Sequence, residues 1–242
     1  MLDAAPITAT TPPASWWVPV ATCVFALLAA LSSVVADGTW PRRIASSLVV
    51  LSTTVHEAGH ALTACLTGGG VWFVQVHTPD SGLAHTWHYG RLAAIAVYAA
   101  GYAAPPLAGL GAASLLARGH APMVLAVTVA AMLLLLVVTR DVITLAAVVA
   151  IGAVAGAALY WGPPWGQQVV AYGEAWLLLL SEVAGIWAIL DPRLRPARYA
   201  ERDHDDADAL AAETGIPAAV WIAAWLVLIG WATWTAAPLL WQ

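Results

Sequence analysis

The chain has 242 residues, of which 61% are hydrophobic and only 10% charged, with a formal net charge of −5. Soluble proteins average about 45–50% apolar and about 25% charged residues, so this chain cannot cover itself with a soluble surface and belongs in a bilayer. A secreted domain, a cytosolic enzyme and a nucleic-acid binder are thereby excluded. The basic residues are all Arg, and the chain contains neither Lys nor Asn. Cys23 and Cys65 both lie in apolar runs and read as small hydrophobes rather than a disulfide or a zinc knuckle.

Residues 1–14 are rich in Thr, Pro and Ala and lack a basic start. They read as a disordered tail and not as a cleavable signal. Residues 15–242 then form one polytopic unit. A spanning helix needs about 20 apolar residues, and seven stretches qualify as candidates: 16–36, 44–66, 92–117, 122–139, 142–160, 174–190 and 217–237. The expected fold is an all-α bundle of about six to seven transmembrane helices. The fourth and fifth stretches form one tract broken only by Arg140-Asp141, which is expected to be the turn. Trp16, Trp17, Trp40, Trp161, Trp165 and Trp241 crowd the expected ends, where an amphipathic indole prefers to sit.

Residues 70–88 break the helical pattern. Val71–His77 is β-prone, Thr78–Gly82 is turn-like and Leu83–His88 returns, which predicts a β-hairpin. Open strand edges cannot face lipid, so it must lie at the interface or against the helices. Arg91, Arg140, Arg193, Arg195, Arg198 and Arg202 fall on one predicted side, with Arg42, Arg43 and Arg118 on the other. The positive-inside rule makes the first side cytoplasmic, together with the N-terminus, the hairpin and the loop 191–216, which is cytoplasmic or re-entrant.

The second span contains His56-Glu57-Ala58-Gly59-His60. Residues i and i+4 share one helix face, so both imidazoles can hold one zinc ion. Glu57 then stands beside the open coordination position, where its carboxylate can accept a proton from water. Chance occurrence is the competing explanation. An ionised group inside a span costs about 2.5–3.5 kcal/mol on insertion scales, which favours a function for the trio. Two His leave the ion short of a third protein ligand. Asp141, Glu182 and Asp206 are open candidates. Asp141 can instead N-cap the fifth helix, Glu182 can be a hydrogen-bonded polar residue in the bundle, and Asp205, Asp206 and Asp208 can cap a short helix that stops at Gly215 and Pro217.

Several stretches together resemble the site-2 protease family of intramembrane zinc metalloproteases, in its divergent peptidase M50B-like bacterial branch. They are Thr54–Gly69 around the HExxH motif, Ser81-Gly-Leu-Ala-His-Thr, Ala100-Gly-Tyr-Ala-Ala-Pro-Pro-Leu, Arg140-Asp141, Asp206-Ala-Asp-Ala-Leu-Ala and Thr214–Trp221. The resemblance implies His56 and His60 as zinc ligands and Glu57 as general base. That branch usually carries Asn at the position of Asp141 and no acid at that of Glu182. It shares the acids at Asp206 and Asp208, which makes Asp206 the implied third ligand and Asp208 the second choice. Better-known site-2 proteases use an Asn…Pro…Leu-Asp-Gly motif that this chain lacks.

The implied activity is hydrolysis of peptide bonds in a membrane protein or peptide substrate within the lipid bilayer of a bacterial plasma membrane. Gly59, Gly101 and Pro105-Pro106 are expected to loosen the helices for access, and the 71–77 strand to receive an unwound substrate as an added strand. The alternative is a proteolytically inactive metal-binding scaffold or sensor, for which His77, His85 and His88 offer a separate cluster by the hairpin. A transporter is a weaker third reading, since no inverted repeat stands out. Oligomeric state is left open by the sequence.

Overall fold

The computed structural model describes residues 7–35, 40–78, 81–196 and 204–241. The chain runs α1 (Trp17–Val35), α2 (Trp40–Leu66), β1 (Gly70–Thr78), β2 (Ser81–Trp87), α3 (Arg91–Leu116), α4 (Ala121–Val138), α5 (Val142–Trp161), α6 (Pro164–Leu180), α7 (Glu182–Leu194), α8 (Asp206–Thr214) and α9 (Ala218–Leu240). It is a mainly helical membrane protein with one small hairpin. In the described residues each of the seven expected apolar stretches is helical, the sixth divided between α6 and α7. Among the described residues five spans are long and apolar enough to cross a bilayer: α3, α4, α5, the continuous Pro164–Leu194 and α9.

The sixth span starts ten residues before the expected Glu174. Gln167 and Gln168 lie in that added stretch, and both are buried and bonded. The Gln167 side chain donates to the Leu159 carbonyl and that of Gln168 to the Pro12 carbonyl. An amide so paired carries little of the usual burial cost. The span also breaks at Ser181 into α6 and α7.

The largest core cluster gathers α1, α3, α4, α6 and the end of α9, including Val18, Leu125, Trp176, Leu179 and Leu240. Tyr102, Ile186, Ala207, Leu210, Ile222, Trp225 and Ile229 form a second cluster, which seats α8 against α3, α7 and α9. Pro105 and Pro106 lie inside α3, which continues through them. Their missing N–H groups leave the carbonyls of Gly101 and Tyr102 without helical donors.

The strands pair antiparallel, with Val74 opposite Ala84 and Gln75 opposite Leu83. Val74, on β1, is buried in a third cluster with Ala61 of α2, Met132 and Leu135 of α4, and Val148 of α5. The outer edge of β1 is engaged: Val74 bridges Thr139 and the Val76 N–H donates to Thr144 Oγ1 at 2.7 Å. The expectation that the 71–77 strand offers an open edge therefore fails. Among the described residues no strand lies beside the outer edge of β2.

Hairpin, α4–α5 turn and α8 share one end of the bundle. The N-terminal segment does not join them. Thr11 N–H donates to the Gly119 carbonyl at 2.8 Å, and Pro12 accepts from Gln168, so both sit at the end that carries the α3–α4 turn. The shared side inferred for the N-terminus assumed that α1 and α2 are two complete crossings, which these contacts do not fit.

Candidate metal centre

α2 and α3 pack antiparallel at the motif because Gly59 and Gly101 let their backbones meet. A Cβ on Gly59 would stand 2.6 Å from Ala104 Cβ and 2.9 Å from the Ala100 carbonyl oxygen. His56 and His60 point from α2 across Gly101, their rings 4.9 Å apart. The α8 helix brings Asp206 over the same point. Its Oδ2 lies 3.2 Å from His56 Nε2 and 3.2 Å from His60 Nε2. Among the described residues this trio is the group of three whose ligand atoms fall within 4.8 Å of one another.

Each imidazole is held from behind. His60 Nδ1 lies 2.7 Å from the Val97 carbonyl, to which it donates, and this leaves the Nε2 lone pair facing inward. His56 Nδ1 lies 3.7 Å from the buried Glu182 carboxylate, which accepts from Ser52 Oγ at 2.7 Å. Glu182 thus stands on the side of His56 away from Asp206. Tyr102 closes edge-on against His56 with ring centres 4.5 Å apart.

The donor set fits zinc. Two neutral imidazoles and one carboxylate make a three-ligand site with a fourth position open, and zinc bonds of about 2.0–2.2 Å place tetrahedral ligand atoms about 3.3 Å apart. A Cβ added to Gly101 would lie 2.4 Å from His60 Nε2 and 2.5 Å from His56 Nε2. The hydrogen at this position thus keeps open the space between the two nitrogens. Burial pushes the Asp206 carboxyl up, but without an ion it pairs with the His60 and His56 imidazoles in their protonated form, and the imidazolium charge then outweighs burial and holds the carboxyl well below the usual carboxylate range.

Glu57 is buried, and β2 covers it. A Cβ on Gly82 would come within 2.6 Å of Glu57 Oε1, and the Ala84 backbone also faces that carboxylate. The centre opens into a cavity of about 600 Å³ between β2, α3, α7 and α8.

Of the other expected candidates, Asp141 caps α5. Its carboxylate accepts from the Thr144 N–H at 2.9 Å and from the Thr144 hydroxyl at 2.5 Å. Asp208 is the N3 residue of a capping box with Asp205. His85 lies against Phe73 and His88 against Tyr98, and the side chain of His77 lies outside the described residues. Sequence reasoning missed Arg193, whose guanidinium bonds Asp205 and Asp208 on either side of Asp206. The one signal in the chain was its place in the polar 191–216 stretch that also holds these acids, twelve residues before Asp205.

A helical membrane bundle that brings an HExxH pair and a remote carboxylate around one point has the layout of a membrane metalloprotease. A family model described as Peptidase M50B-like matches residues 20–236. The chain belongs to that family. No curated protein and no solved structure matches it.

Proposed function

We propose that this protein is an intramembrane zinc metalloprotease, hydrolysing peptide bonds of membrane-embedded substrates, with His56, His60 and Asp206 as zinc ligands and Glu57 as general base. The observation that carries this reading is the spacing of 3.2 Å from Asp206 Oδ2 to both Nε2 atoms, with buried Glu57 next to them in the chain. Zinc, when bound, supplies a Lewis acid that acidifies water and polarises a carbonyl. Glu57 accepts the water proton and delivers it to the departing amide nitrogen. The outer edge of β2, beside which no described strand lies, borders the cavity and suits an unwound substrate segment paired as an added strand. That assigns to β2 the part that sequence reading gave to β1.

The test is metal analysis with a cleavage assay. Purified wild type should carry one zinc per chain and cut a fluorogenic single-span peptide in proteoliposomes. A chelator should stop cleavage and added zinc restore it. The double variant His56→Ala, His60→Ala should lose both metal and cleavage, and full zinc retention in it would overturn the assignment.

The hairpin end is proposed to face the cytoplasm of a bacterial plasma membrane. Arg91, Arg140, Arg193 and Arg195 lie at that end, against Arg118 and, at the start of α2, Arg42 and Arg43 at the other. The N-terminal segment would then face outward. In a background lacking Cys23 and Cys65, an impermeant thiol reagent applied to intact cells should label Thr10→Cys and spare Ala200→Cys. The opposite pattern would invert the orientation.

A further inference from the structure

Three acids crowd the start of α8, and only one of them faces the histidines. Asp205 is the N-cap and accepts from the N–H groups of Ala207 and Asp208, while the Asp208 side chain answers the Asp205 N–H. This capping box stabilises α8 but does not fix where α8 sits. Its seat is the apolar cluster beneath Ala207 and Leu210, and a polar tie from another helix adds to it. Arg193, near the end of α7, donates from Nη1 to Asp205 Oδ2 at 2.6 Å and from Nη2 to Asp205 Oδ1 at 2.8 Å, and again from Nη2 to Asp208 Oδ1 at 2.9 Å. The guanidinium is itself anchored, because Nη1 also donates to the Ile189 carbonyl at 2.5 Å.

We propose that Arg193 is a positioning residue of the metal centre: by clamping Asp205 and Asp208 it selects Asp206 as the acid presented to His56 and His60. The inference rests on the metal-centre reading above and adds to it the reason why one acid of three becomes the ligand. Two considerations favour it. First, the fork of Arg193 meets the Asp205 carboxylate with two parallel bonds, an arrangement that fixes direction as well as distance. Second, the clamp balances charge. Three carboxylates within four residues repel one another, and one guanidinium between Asp205 and Asp208 draws two of them to the α7 side. Asp206, lying between them in the chain, is thereby turned toward the imidazoles. The same helix also backs the other side of the centre through Glu182. Glu182 and Arg193 are about three turns apart and lie on one face of α7.

The experiment uses the purified full chain in detergent, with zinc affinity read by chelator competition and the site geometry read by the visible absorption of bound Co²⁺. Arg193→Met should weaken zinc binding about 10- to 100-fold, the usual effect of losing a residue that orients a ligand. The Co²⁺ spectrum should change at saturation, because Asp206 no longer coordinates in the same way. Arg193→Lys should recover part of the affinity, since a point charge replaces the fork only in part. In an Asp206→Ala background, Arg193→Met should add less than about twofold, because both changes remove the same ligand.

Wild-type zinc affinity in Arg193→Met would overturn the proposal. So would a loss that adds in full to that of Asp206→Ala, or a lowered melting temperature with an unchanged Co²⁺ spectrum, the mark of a residue that only braces the fold. Failure of the wild type itself to bind zinc would instead remove the metal-centre reading, and this inference with it.

Discussion

Glu57→Gln is expected to keep its zinc and lose about 10²- to 10⁴-fold in turnover, the range typical of a missing general acid–base. The substitution keeps the shape of the side chain, which matters because Gly82 and the Ala84 backbone leave it little room. Glu57 is not one of the three residues grouped around the ligand point, so its amide should leave metal content unchanged. Zinc analysis and cleavage of a single-span peptide, run on one preparation, separate the two effects. Undiminished cleavage by Glu57→Gln would remove Glu57 from the chemistry. A wild type that binds zinc but cuts nothing would favour the inactive metal-binding alternative.

Gly101→Ala should also be damaging, by a different route. Its methyl group would stand 2.4 Å and 2.5 Å from the two inward imidazole nitrogens. Relieving such an overlap in a packed site costs about 1–3 kcal/mol, and the methyl also competes with the ion for space. Zinc affinity is expected to fall by about 5- to 150-fold, since each 1.4 kcal/mol is a factor of ten. Gly111 is the control on the same helix, because nothing lies within 4 Å of a Cβ there. Gly111→Ala should bind zinc as wild type does. Equal zinc affinity for Gly101→Ala would mean that the ion does not sit between the imidazoles over α3.

Local chemistry was readable along the chain. The i, i+4 histidines, the Asp141 cap, the short acid-headed α8 and its Gly215 stop each depend on residues within a turn or two. The hairpin followed from alternation and turn residues, and the long apolar runs marked the bundle. What the chain order concealed depends on distant neighbours. Asp206 meets His56 across 150 positions, and helix spacing alone leaves Asp141 and Glu182 as equal candidates. Gly101 reads from sequence as a loosening residue, whereas its value here is the absence of a side chain opposite two imidazoles. Arg193 counted only as a topology charge. Gln167 and Gln168 lie within the early part of α6, and hydropathy cannot register an amide whose partner lies on another segment. Thr11 and Pro12 were misplaced for a related reason: an Arg tally counts crossings but does not test them.

The small cluster that seats α8 has a thermodynamic consequence. α8 rests on Ala207 and Leu210 packed against Ile222, Trp225 and Tyr102, apart from the large core that unites α1, α3, α4 and α6. Undocking this nine-residue helix breaks the Arg193 contacts and uncovers that separate cluster without opening the large core, which makes it a local opening of the fold and not a global one. Any ion that Asp206 helps to hold is bound in full only by the docked form, so its apparent affinity is the intrinsic one multiplied by the docked fraction. Linkage makes the relation reciprocal, and the ion must favour docking by the same factor. Metal supply and α8 order are then a single equilibrium, and amide exchange in residues 206–214 would slow as zinc is added.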